Sequence, residues 1–74
     1  MSFDYSELRG KIKAKYGTCA NFADKLGISG ATLSDKLNQK SDFSHKEIIA
    51  SCRLLGIHVE DIPFYFFTEK VKET

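Results

Sequence analysis

Apolar residues in this chain recur every three or four positions and rarely alternate, a spacing that selects helices over half-buried strands. Leu8, Ile12 and Tyr16 stand four apart and predict a first helix that stops at Gly17. Its start, FDYSEL, offers Asp4 as a cap, Glu7 three residues on to complete a capping box, and Phe3 to staple onto Leu8. Thr18 caps a second helix, with Phe22, Ala23 and Leu26 on one face and Gly27 at its end. Ser29 then caps a third, with Leu33 and Leu37 facing inward and Ile28 expected to plug the intervening turn. In FSHKEI the opening pattern returns: Ser44 caps, Glu47 closes a box and Phe43 staples to Ile48. Ile48, Cys52 and Leu55 face inward before the stop at Gly56, and Asp61 with Pro63 predicts a short fifth helix. Two helices joined by so short a glycine-containing turn form a helix-turn-helix, here residues 18–38. The expected fold is all-α, a single five-helix domain over residues 1–74, with the closing EKVKET frayed.

The aromatic run Phe64-Tyr65-Phe66-Phe67, within a segment spanning 61–71, interrupts this regularity. Four adjacent rings cannot share one helical face. Two are expected to pack on the first and fourth helices and complete a thin core. The outward ones make Phe64, Tyr65, Phe66 and Phe67 candidates for a dimer or partner interface, with Tyr65 and one of Phe66 or Phe67 expected at the contact. A continuous helix over 62–70 fits this segment, and so does a short strand pairing across a dimer, because FYFFT favours β structure.

Composition narrows the functional classes. At 42% hydrophobic and 28% charged, the 74 residues suit a globule rather than a disordered segment. A domain this small has little interior for an enclosed catalytic pocket, and no Ser–His–Asp, Cys–His or paired-carboxylate arrangement stands in a supporting context, so no enzyme is expected. Cys19 and Cys52 read as reduced thiols, and His45, Cys52 and His58 lack a zinc spacing, so neither metal nor cofactor is expected. No secretory leader or membrane-spanning run is apparent, which suits a cytoplasmic protein. The net charge of +1 hides an asymmetry. Over residues 9–40, seven basic residues against Asp24 and Asp35 leave +5, whereas residues 1–8 and 41–74 each carry −2. The basic half contains the helix-turn-helix, where positive charge favours approach to phosphates.

The stretches Phe22-Ala23, Leu26-Gly27-Ile28-Ser29, Thr32-Leu33 and Leu37-Asn38 resemble the lambda-repressor-like, Cro-type helix-turn-helix family over roughly residues 6–57. FDYSELRGKI, LNQKSDFSHKEI and IPFYFFTEKV are similar to a narrower group, the short phage Cro-like proteins that include the modulator-of-repression type. The resemblance implies a third helix lying in the DNA major groove, with Gly30, Ala31 and Asp35 at base edges and Thr32 and Ser34 beside them. It places Thr18, Cys19 and Asn21 toward the DNA backbone and Asn38 and Lys40 on the flanking phosphate; by their charge, Arg9, Lys11 and Lys36 join Asn38 and Lys40 as candidate phosphate-holding residues. Cys19 departs from the glutamine frequent at its place in the family, which removes a polar phosphate contact.

The base-facing set is poor in donors. Direct readout rests on pairs such as Arg to guanine or Gln and Asn to adenine, each worth about 1–3 kcal/mol of discrimination. Gly30 offers only backbone, Ala31 and Thr32 a methyl contact, and Asp35 an acceptor that repels nearby phosphates. Two readings follow. One is a phage or prophage transcriptional regulator that binds operator double-stranded DNA; binding as a two-fold homodimer would require its recognition helices to lie about 34 Å apart. The alternative is a modulator that acts by protein contact with a partner repressor.

Overall fold

Side-chain caps and left-handed residues cut the chain where the hydrophobic pattern breaks. The computed structural model describes residues 3–69. Within them lie α1 (Ser6–Tyr16), α2 (Cys19–Leu26), α3 (Gly30–Leu37), α4 (His45–Leu55) and α5 (Ile62–Phe66), the last entered through a 3₁₀ turn at Val59–Asp61. The fold is all-α. Thr18 Oγ1 accepts the Asn21 N–H at 3.1 Å, and Ser29 Oγ accepts that of Thr32 at 3.1 Å. Ser44 makes the full reciprocal box: its hydroxyl accepts the Glu47 N–H at 3.2 Å, and its own N–H donates to Glu47 Oε1 at 2.7 Å. Gly27 and Gly56, at φ 87° and 69°, close α2 and α4 in the left-handed region where a side chain would be strained.

The start of α1 differs from expectation. Tyr5, not Asp4, holds the cap position, and no side chain caps the helix. The Asp4 carboxylate instead accepts the Ser6 N–H at 2.9 Å and the Ser6 hydroxyl. The reason lies in the backbone: the Asp4 N–H donates to the Thr68 carbonyl at 2.7 Å, and Phe3 bridges antiparallel to Glu69. Residues 3–4 are thereby held extended, one position too early to cap. Phe3, expected against Leu8, has its ring beside those of Tyr5 and Phe67.

The same bridge decides the C-terminal segment. α5 ends at Phe66, where the Thr68 hydroxyl folds back onto the Phe64 carbonyl at 2.6 Å. Thr68 and Glu69 then lie alongside Asp4 and Phe3. Helix therefore covers only part of this segment, and Thr68 and Glu69 pair within the same chain; residues 70 and 71, with the frayed end expected there, lie outside the described residues.

α1 packs on α2, α4 and α5, and α2 lies between α3 and α4. Leu8, Ile12, Phe22, Ala23, Leu33, Leu37, Ile48, Cys52 and Leu55 are buried as their spacing requires, joined by Tyr5, Ile57 and Phe66. Large side chains buried in this way contribute about 1.5–3 kcal/mol each. Phe66, expected among the interface candidates, is instead core: it is 1% exposed, and its ring meets that of Phe43 at 5.4 Å, edge to face. One turn of helix over α1 and α4 turns one ring fully inward. Phe64 and Phe67 remain outside, and Tyr65 is half-buried.

Candidate functional site: the outer face of α3

The turn between α2 and α3 is short because two backbone donors fold onto one carbonyl. The N–H groups of Gly27 and Ile28 both reach Ala23 O, at 2.9 and 3.0 Å, and half-buried Ile28 packs against the core. With Leu33 and Leu37 anchored inside, helical spacing turns Gly30, Ala31, Ser34 and Asp35 outward, with Thr32 at their edge. All five are exposed. Two hydroxyls already have local partners. The Ser29 hydroxyl donates to Thr32 Oγ1 at 2.8 Å, and Ser34 Oγ accepts from the Asn38 amide at 3.3 Å. The face therefore presents methyls, backbone, two engaged hydroxyls and one free-standing carboxylate, Asp35.

The residues expected to hold phosphate fall in different surroundings. Arg9 and Asn38 are brought together, Arg9 Nη2 donating to Asn38 Oδ1 at 2.9 Å and tying α1 to the end of α3. Thr18, Asn21 and Lys40 are exposed, although the Asn21 amide donates to the Tyr16 carbonyl at 3.1 Å. Three residues depart from expectation. Lys36 is 9% exposed; its ammonium donates to the Asp42 carbonyl at 2.9 Å and pairs with Glu47 Oε1 at 3.0 Å. It lies three residues from Leu33 and so shares the inner side of α3. Lys11 stands two residues, or about 200°, around α1 from Arg9, and its ammonium sits 6.0 Å from the Tyr65 ring. Cys19 is half-buried against the core, following Phe22 three residues on.

Electrostatics agree with this inward role for Lys36. Burial alone would raise the Glu47 carboxyl, but the Ser44 N–H and the Lys36 ammonium hold it below its ordinary 4.5. Burial raises the Cys52 thiol, which leaves it a poor nucleophile. Among the described residues no three His, Cys, Asp or Glu side chains gather as metal ligands, and no helix is long and apolar enough to cross a membrane.

A family model described as a protein of unknown function, DUF739, matches residues 1–69. The chain belongs to the DUF739 family. It is also similar to a solved structure, the modulator of repression of the temperate bacteriophage TP901-1 from Lactococcus lactis. Identity is 47%, the match covers 97% of each chain, and the TM-score is 0.81. Among curated proteins no sequence matches.

Two features of this DUF739 protein escaped the sequence pattern. Gln39, at φ 64°, is the one non-glycine residue in the left-handed region among those described, and its side-chain amide grips both backbone groups of Phe3. Nothing in SDFSHK or LNQK spells a clamp on a segment 36 residues away. The Lys36–Glu47 pair was equally hidden, although the burial of Leu33 and Leu37 left a cue, since position 36 lies between their rows.

Proposed function

We propose that this DUF739 protein is a phage-type modulator of repression, which docks onto a partner repressor and changes that repressor's hold on its operator. The observation that carries this reading is the outer face of α3: five exposed residues without one cationic or amide donor, beside a lysine drawn inward to Glu47. Such a face has little with which to read bases, and its Asp35 suits a basic protein surface better than a phosphate backbone. The 47% identity to a protein titled a modulator of repression supports the same reading. The protein acts in the cytoplasm, by contact, without catalysis or cofactor.

Direct operator binding stands as the second reading, favoured by the helix-turn-helix itself and by exposed Arg9, Lys13, Lys15, Lys25 and Lys40. The two separate cleanly in one titration on promoter DNA at two salt concentrations, with and without the repressor encoded nearby. The modulator reading expects no sequence-selective binding by the protein alone, and a changed repressor–DNA affinity when both are present. Tight, selective binding by the protein alone would replace it with the operator reading.

A further inference from the structure

Beside the pairing of Phe3 and Asp4 with Thr68 and Glu69, the molecule holds a cleft of about 200 Å³ walled by aromatic rings. That is room for several waters or one long side chain. Phe3, Tyr5, Phe43, Phe66 and Phe67 line it. Neighbouring rings stand nearly perpendicular: Phe3 to Phe67 at 5.9 Å and 81°, Tyr5 to Phe43 at 5.6 Å and 88°, Phe43 to Phe66 at 5.4 Å and 86°. Phe3 and Tyr5, tilted at 40° and 6.3 Å apart, join the two halves. The result is a box of π-faces and edges.

The sixth element of the box is a charge. Asp42 lines the cleft and is exposed, and among the described residues its carboxylate makes no hydrogen bond or ion pair. Lys36 does not neutralise it, since that ammonium bonds the Asp42 carbonyl and is matched by Glu47. Tyr5 is only 8% exposed, yet its hydroxyl also has no hydrogen-bond partner among the described residues. Burial, and then the Asp42 charge, push the Tyr5 phenol above its ordinary value. Two polar groups without partners thus share an aromatic cleft.

We propose that this cleft holds an arginine side chain of a protein partner, its guanidinium over the rings and paired with Asp42. Ring faces attract a cation, and arginine stacks on aromatics, stays charged when desolvated and grips a carboxylate with two parallel donors. Lysine is more strongly hydrated and fits the box less well. The site is a second surface beyond the face of α3, and it rests on the proposed function only for which protein carries the arginine.

The test has two arms. In the first, the full chain is titrated by amide NMR with a capped Gly-Arg-Gly peptide, its neutral citrulline counterpart and tetramethylammonium chloride. The expected result is saturable shifts at Tyr5, Asp42, Phe43 and Phe67 with the arginine peptide, at least about fivefold weaker with citrulline or in Asp42→Asn. Equal binding of the citrulline peptide, or tighter binding of tetramethylammonium, would overturn the proposal. So would a gain in peptide affinity on replacing Lys70 and Lys72 by Gln, which would assign the cleft to the chain's own cations. In the second arm, repressor binding is compared among wild type, Asp42→Asn and Phe67→Ala, with thermal melts to confirm folding. Loss in both variants supports the cleft. Unchanged binding in folded variants overturns it and leaves the proposed function standing. If wild type binds no repressor, the proposed function fails and the peptide titration alone decides the cleft.

Discussion

Lys36 shows how much one side chain can redirect the reading of a surface. Its stem lies among the inner residues of α3 while its ammonium joins the Asp42 carbonyl to the Glu47 carboxylate, fixing the loop between α3 and α4. Lys36→Ala leaves the Asp42 carbonyl without its donor and the partly buried Glu47 carboxylate without its countercharge, so urea unfolding should show a loss of about 2 kcal/mol. Any loss of binding in that variant then tracks unfolding rather than a missing phosphate contact. The Glu47 carboxyl gives the pair a pH signature. Because its folded value is depressed, its stabilisation is fully present above about pH 4.5 and drains away as pH falls through the lower folded value. Melting temperature should decline over that acid range, and Glu47→Gln should flatten this part of the profile while lowering the plateau at neutral pH. Ser51 is the opposite case. It is fully buried in α4, and its hydroxyl finds no partner among the described residues. Ser51→Ala removes that uncompensated group and improves helix propensity, so a gain of up to about 1 kcal/mol is expected in denaturant titration. A clear loss would mean that the hydroxyl is satisfied after all, by a carbonyl one turn back or by water.

At the scale of elements, local chemistry was written in the chain and long-range chemistry was not. Thr18, Ser29 and Ser44 cap as their neighbours demand, because a cap needs only a side chain and an amide three residues on. The inner stripes of α1 to α4 follow for the same reason. The exposed face of α3 was legible too, since fixing Leu33 and Leu37 inside fixes Gly30, Ala31, Ser34 and Asp35 outside. The α1 cap failed because Asp4 was claimed by Thr68, a partner that no window of sequence contains. Phe66 could not be told from Phe64 or Phe67 until α1 and α4 showed which side of the short α5 is covered. Gln39 joins these distant pieces, holding Phe3 from a left-handed backbone that costs a non-glycine residue about 1 kcal/mol. Comparing Gln39→Ala with Gln39→Gly therefore separates clamp from strain. Both should speed amide exchange at Phe3 and Asp4, and the glycine variant should be the more stable by about 1 kcal/mol.

For the whole molecule the question is what its positive half does once Lys36 is subtracted. Arg9, Lys13, Lys15, Lys25 and Lys40 remain exposed, but they lie on α1, the end of α2 and the loop after α3, not along the outward face that a groove would receive. Charge spread in this way attracts a polyanion without registering it, since phosphate contacts position a protein and only base contacts select a sequence. Any DNA binding by the protein alone should therefore be weak, in the range of about 10⁻⁴–10⁻⁶ M at physiological salt, and equal on promoter and scrambled duplexes. If these five cations each neutralise one phosphate, the log–log salt slope would be about −4.5. Fluorescence anisotropy over a salt series measures both quantities. A steeper slope, with the promoter preferred tenfold or more, would mean that the chain reads DNA through contacts its α3 face does not offer, and would return the operator to the centre of its function. A shallow slope without preference leaves the lysines as general attraction toward a repressor already seated on DNA, where a protein-docking face gains by being held near its target.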